Sequence, residues 1–200
     1  MSETASLTER RRAATQLEIA RVAARLFTER GAAGTTAEAI AAAAGIGLRT
    51  FYRYSRTKED AVAPLLTVGG DAWRARLAAT EPGAPLLPAV EAAIRASLGA
   101  SDDATLADLP SVRGLLRAAG DDPDLAAVWY RVNRDSEARL LPVLTTIAPT
   151  VDRLDLRLVA AAATDAIRVS LEDWARGESP EAPVELAVRC LRVLTRGLAS

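Results

Sequence analysis

Apolar residues recur at every third or fourth position along nearly the whole chain, and no stretch alternates with the period of two that a strand requires, so the sequence predicts helices throughout. Over residues 10–30, Ala13, Leu17, Ala20, Ala24 and Phe27 form one stripe, widened by Ile19, Ala23 and Leu26 and stopped by Gly31. Thr35 and Thr36 offer N-caps for a short helix ending at Gly45, and Thr35 and Glu38 have the capping-box spacing. A third helix follows Gly47 and runs only to Tyr54 or Ser55, because Thr57 then caps a fourth that opens on Lys58, Glu59 and Asp60, with acids where the helix dipole prefers them.

Beyond residue 60 the segments lengthen. Pro64 lies early in helix four, Gly69 and Gly70 are placed to bend it, and Glu81-Pro82-Gly83 is a loop. Helices are expected over residues 86–98, 111–119, 123–147, 152–176 and 182–196, with a loop before Ser111. The 123–147 helix carries the stripe Leu125, Trp129, Val132, Ser136, Leu140, Val143 and Ile147, with a kink expected at Pro142. The pattern predicts an all-α fold of about nine helices, three short or medium ones and then a second bundle of six joined through helix four.

Composition sharpens this picture. Half of the 200 residues are apolar, enough for a sizeable core. The near balance of 25 basic and 26 acidic residues hides an uneven distribution: residues 1–60 carry ten Lys/Arg against seven Asp/Glu, and the remainder is acidic. With no histidine and one cysteine, the chain cannot form a zinc finger, a Cys/His pair or a Ser-His-Asp triad, which removes most catalytic chemistry, and no metal site or enzyme is expected as the main reading. Cys190, in the apolar run Val188, Leu191, Val193 and Leu194, reads as inert core in a reducing compartment. The longest apolar run, residues 39–48, is too short to span a membrane, and the opening residues lack a signal-like apolar region, so a cytoplasmic protein is expected.

The stretch TTAEAIAAAAGIGLRTFYRY, residues 35–54, has the plan of a helix-turn-helix: two helices joined by a tight glycine turn, the second short enough to enter a DNA major groove. Ile40, Ile46 and Phe51 are placed to lock the two helices from inside. Arg49, Thr50, Tyr52, Arg53 and Tyr54 then point outward as a donor-rich surface for phosphates and base edges. On the residues alone two other readings stay open. One is a dimeric helical small-molecule-binding protein without DNA contact; the other is a carboxylate enzyme with Asp165 as base, although an ion pair with Arg168 is the better explanation of Asp165.

The order of these elements resembles the amino-terminal DNA-binding domain of TetR-family transcriptional regulators over roughly residues 10–62. LFTERG, TTAEAIAAAAGI, RTFYRY and TKED stand in that family's order and spacing. The resemblance implies a homodimeric regulator, usually a repressor, with a variable helical ligand-binding domain after helix four; a palindromic DNA operator and release by a small lipophilic effector are expected. Residues 1–56 would form the DNA-binding domain, with 1–9 as a disordered arm, and 57–200 the ligand-binding and dimerisation domain. By position, Thr36 and Ala37 would meet phosphate, Glu38 would lie near the groove, and Leu48 and Arg49 would read bases. Thr50, Tyr52, Arg53 and Tyr54 would hold backbone or base edges, and Lys58 would grip a phosphate. The chain departs from the family's pattern at Gly47, where a capping Ser is frequent, at Ser55 for Phe and at Ala61 for Leu, which implies a lightly packed hinge.

The long helices present Trp73, Trp129, Tyr130 and Trp174 with the few polar interruptions Asn133, Ser136 and Ser170, a lining suited to a lipophilic ligand with a small polar part. The segments 112–140 and 155–177 are similar to the carboxy-terminal domain of the mycofactocin-regulator (MftR-like) subclass, which implies an acyl-coenzyme A effector whose phosphates would meet Arg113 or Arg117. Helix nine is apolar on several faces, so helices eight and nine are expected to pair with a second copy through Val169, Val184, Val188, Leu191 and Leu194.

Overall fold

The computed structural model describes residues 6–99, 108–177 and 181–197. Among them every regular element is helical. They are α1 (Leu7–Arg30), α2 (Ala37–Ala43), α3 (Leu48–Tyr54), α4 (Ala63–Ala78), α5 (Leu86–Leu98), α6 (Leu109–Gly120), α7 (Pro123–Ile147), α8 (Arg153–Arg176) and α9 (Pro183–Leu194). A 3-10 turn, Asp60–Val62, precedes α4.

The local chemistry explains most boundaries. α1 begins at Leu7 because Ser6 and Glu9 form a complete capping box, so residues 7–9 are helix and not part of an unstructured arm. Thr36, not Thr35, caps α2, accepting the Ala39 N–H at 3.1 Å. Thr35 is fully buried and its hydroxyl donates to the carbonyls of Gly31 and Leu26, which removes the expected Thr35–Glu38 box. Helix four does not open directly at Lys58: the Thr57 hydroxyl accepts the Asp60 N–H at 3.1 Å, a 3-10 turn follows, and the α-helix starts one residue before Pro64. Pro142 stays inside α7, which runs on to Ile147.

Two apolar clusters form the core. The first joins Ile19, Leu26 and Phe27 of α1, Ile40 of α2 and Phe51 of α3 to Val62, Leu65, Leu115, Leu116, Leu125, Trp129 and Leu171. The three-helix head therefore shares a core with α6, the start of α7 and the end of α8. The second cluster packs the rest of α4 and α7 with α5, the first half of α8, and α9, through Trp73, Leu77, Ile94, Leu140, Leu144, Val159 and Leu191.

Three contacts fix the head against the larger bundle. Gly114 of α6 meets α1 so closely that a Cβ there would lie 2.6 Å from the Thr28 side chain. Arg21 of α1 makes a bidentate pair with Asp108 at the start of α6, both bonds 2.9 Å. Arg131 of α7 donates to Asp60 of the 3-10 turn at 2.6 Å.

Candidate nucleic-acid interface and cavity

The turn between α2 and α3 needs Gly45, whose φ of 67° is a left-handed conformation that a side chain disfavours. From this turn α3 emerges with Phe51 fully buried as its inward wedge. Leu48, Arg49, Tyr52 and Arg53 are exposed, while Thr50 and Tyr54 are half-buried. The Arg53 guanidinium sits over the Tyr54 ring, 5.3 Å from its centroid. Neither Arg49, Arg53 nor Arg56 meets a carboxylate among the described residues. α3 thus carries a free basic and phenolic surface on a closed apolar base, with exposed Thr36 and Glu38 at the start of the preceding helix. Ala37 is buried and offers only its backbone.

Lys58 does not present a free ammonium. Its Nζ donates to the carbonyls of Ala32 at 2.6 Å and Thr35 at 2.9 Å, and Glu59 lies 3.6 Å away. Two of its N–H groups thus clamp the α1–α2 turn, where the Ala32 carbonyl also accepts the Thr35 N–H. With Ala61 and Val62 fully buried, this clamp secures the hinge that the small side chains suggested would be loose.

A cavity of about 280 Å³ lies between α4, α5, α6, α7 and α8. Of the residues expected to line a ligand site, it collects Trp73, Trp129, Asn133 and Ser136. Five others lie elsewhere, Tyr130 on the exposed surface. Ser170 is buried with its hydroxyl donating to the Ile167 carbonyl, and Trp174 lies under the Arg113 guanidinium, 4.8 Å from the ring centroid. Arg113 is therefore turned to the end of α8, where Arg117 donates to the Ala175 carbonyl. The negative end of the helix dipole attracts both cations there, so they do not reach the cavity to meet an anion.

Among the cavity residues that sequence reasoning missed, three bear on the site's chemistry and its link to the head. Thr164 lies inside the apolar stretch of α8, 5 % exposed, and its Oγ1 has no hydrogen-bond partner. Asp108 and Arg131 line the cavity and form the two ion pairs to the head described above. The polar interruption at Thr164 was a legible signal; the ion pairs, joining residues 87 and 71 positions apart, were not.

The expected dimer residues also divide. Val169 is 41 % and Leu194 50 % exposed, but Val188 and Leu191 are 2 % exposed inside the protomer core, and Val184 is half-buried. The exposed apolar face consists instead of Leu154, Leu158 and Val169 on α8 with Val193 and Leu194 on α9. Cys190 is half-buried, and burial pushes its thiol pKa up, which disfavours the reactive thiolate. Asp165 is exposed and paired with Arg168 at 3.0 Å.

A glycine-turned helix pair with a basic second helix, set on a larger helical bundle that encloses a cavity, defines a helix-turn-helix protein with an appended helical domain. Residues 19–63 match the model of the tetR family of bacterial regulatory proteins. The chain is 29 % identical over 140 residues to the HTH-type transcriptional regulator TcmR of Streptomyces glaucescens, covering 69 % of this chain and 62 % of that relative. The matched part thus spans less than two thirds of the relative's length. Two solved structures share the fold. One is a transcriptional regulator from Pseudomonas aeruginosa PAO1, with TM-score 0.60, 18 % identity and coverage of 96 % of this chain and 92 % of that one. The other is the repressor AlkX from a Dietzia strain, implicated in biodegradation of n-alkanes, with TM-score 0.58, 20 % identity and coverage of 91 % and 96 %. Among the described residues no helix is long and apolar enough to cross a membrane.

Proposed function

We propose that this protein is a ligand-responsive transcriptional repressor that binds a palindromic duplex as a homodimer and is released by a small lipophilic effector. The observation that carries the reading is the free surface of α3: Arg49, Tyr52 and Arg53 exposed over buried Phe51, with no carboxylate among the described residues to neutralise the arginines. One such helix per chain needs a second copy to read two half-sites about 34 Å apart. The exposed Leu154, Leu158, Val169, Val193 and Leu194 supply the apolar face for that pairing. The effector enters the α4–α8 cavity, where Trp73, Trp129, Ile167 and Leu171 favour an apolar body and Asn133, Ser136 and Thr164 offer hydrogen bonds to a small neutral group.

Coupling runs through the two ion pairs whose members Asp108 and Arg131 stand in the cavity wall. An effector shifts operator affinity only by binding two arrangements of these links unequally. The test is selection from random duplexes followed by titration of the isolated operator complex with neutral lipophilic compounds and with an acyl-coenzyme A. Operator selection, dimer-sized complexes and release by the neutral compounds are expected. Failure to enrich any sequence overturns DNA reading; tight binding of a compound with unchanged operator affinity overturns the switch. Selective release by the acyl-coenzyme A alone overturns the neutral-ligand assignment.

A further inference from the structure

The match to the family model begins at residue 19, yet α1 begins at Leu7. The added turns are unlike the rest of the helix. Leu7 through Ala14 are exposed on every side, Leu17 is the first residue to touch the core, and continuous burial starts at Ile19. This stretch carries Arg10, Arg11 and Arg12 in succession. None of the three meets a carboxylate among the described residues. The adjacent Glu9 is engaged in the capping box, its carboxylate accepting the Ser6 N–H at 2.7 Å.

Three adjacent cations near the positive end of a helix dipole are electrostatically unfavourable, and no packing offsets them. The unpartnered surface is therefore complementary to a dense anionic partner. It has no apolar side: apart from Leu7, only Ala13 and Ala14 interrupt the polar residues up to Leu17, so it lacks the face by which a helix enters a lipid surface. At about 1.5 Å per residue, Arg10 stands roughly 14 Å along the axis from Ile19, comparable to the ~12 Å width of a major groove. The far end of α1 is occupied by the Lys58 clamp on Ala32, and α6 runs beside it from Arg21 to Thr28. The basic turns thus project at the end away from the hinge, on the same rigid helix that supports α3.

We infer that the first three turns of α1 are a second DNA-contacting element, in which Arg10, Arg11 and Arg12 bind duplex phosphates flanking the bases read by α3. It rests on the proposed DNA binding but does not follow from it, since α3 alone would make a shorter contact. The contact is independent of sequence and extends the protected duplex outward from each half-site.

The experiment compares the full-length wild type with Arg10→Ala/Arg11→Ala/Arg12→Ala on the selected operator from low to moderate salt, with footprints and thermal melts. Alanine preserves the helix and removes no packing, so an unchanged melt is expected. With six arginines per dimer removed, the slope of log affinity against log salt should become shallower by up to about five. The preferred sequence should stay the same and protection should retreat from the flanks. A wild-type slope and footprint in the variant overturn the inference while leaving operator reading intact. Loss of binding to anionic phospholipid vesicles with an unchanged DNA slope overturns it in favour of a membrane partner. If the wild type binds no duplex at all, the proposed function fails first and this inference with it.

Discussion

The head and the larger bundle arrange their polar chemistry in opposite ways. In the head, Phe51, Ile40 and Phe27 close an apolar core, and Arg49, Tyr52 and Arg53 stand on its surface. In the bundle, Asn133, Ser136 and Thr164 lie within the core at the wall of a cavity. The head's site can therefore be altered without loosening its fold, whereas in the bundle binding and packing share the same side chains.

The largest effect expected from this contrast is at Phe51. Phe51→Ala should lower stability by about 3–5 kcal/mol and abolish operator binding, because a fully buried ring leaves a cavity beneath α3. Arg49→Ala should leave the melting temperature within the range of an ordinary surface change, while costing roughly 1–3 kcal/mol at one base position. Equal melting shifts in the two variants would break the separation of core from site in the head.

The join between the regions is the next place to probe. At Gly114, a methyl group would lie 2.6 Å from both Cγ2 and Oγ1 of Thr28, a β-branched side chain with little freedom to move. Gly114→Ala should cost about 1–3 kcal/mol by overpacking, partly offset by the ~1 kcal/mol gain in helix propensity. Adding Thr28→Ala should recover most of the loss in a double-mutant cycle. Additive losses would show that α1 and α6 are not in the close contact that transmits strain to the head.

Lys58 tests which cations of the head are available to DNA. Its ammonium already serves the Ala32 and Thr35 carbonyls, so Lys58→Ala should lower stability by about 1–2 kcal/mol and leave the salt slope of operator binding unchanged. A shallower slope with an unchanged melt would return the residue to the phosphate role that the sequence suggested.

These examples show where the fold was legible and where it was not. Helix positions followed from spacing and punctuation, and α3 followed from a glycine turn, a buried wedge and outward arginines lying within ten residues. Such determinants are local, so sequence order reveals them. The contacts of Lys58 and Leu191 were not legible because they depend on partners far along the chain: the lysine reaches carbonyls 26 and 23 positions away, and the leucine packs into the bundle core. The start of α1 was locally written in Ser6 and Glu9, but apolar periodicity, beginning later, concealed it. Most of the expected ligand residues fall away from the cavity because a helical stripe records burial and not which of several neighbours it faces.

Surface charge in the bundle should matter less than any of these. Glu91 accepts hydrogen bonds from Arg192, which ties α5 to α9, and from Arg95 of its own helix, and these hold its carboxyl below the usual value, chiefly through Arg192. A lowered folded-state pKa gives stability that is present above the ordinary carboxylate range and lost as pH falls through the folded value. Glu91→Gln should therefore cost up to about 1 kcal/mol at neutral pH, with the difference from wild type vanishing in acid. A difference that persisted below the carboxylate range would mean that the side chain's packing, not its charge, joins these helices.

The smallest stability change, and the sharpest test of the contrast, belongs to Thr164. Its buried Oγ1 has no hydrogen-bond partner among the described protein groups, and the group faces the cavity. Valine keeps the branched shape and removes the unsatisfied oxygen. Thr164→Val should leave stability unchanged or raise it by about 1 kcal/mol, against the usual trend for core substitutions. If the hydroxyl is kept for a ligand, the same variant should weaken effector binding and leave operator affinity without effector unaltered. Thermal melts and effector titrations of one protein preparation measure both. A destabilised variant would mean that Oγ1 is satisfied within the protein, and unchanged effector binding would remove Thr164 from the site. A stabler protein that no longer releases DNA would show that, in this half of the molecule, a cost to the empty fold is the means by which the ligand is recognised.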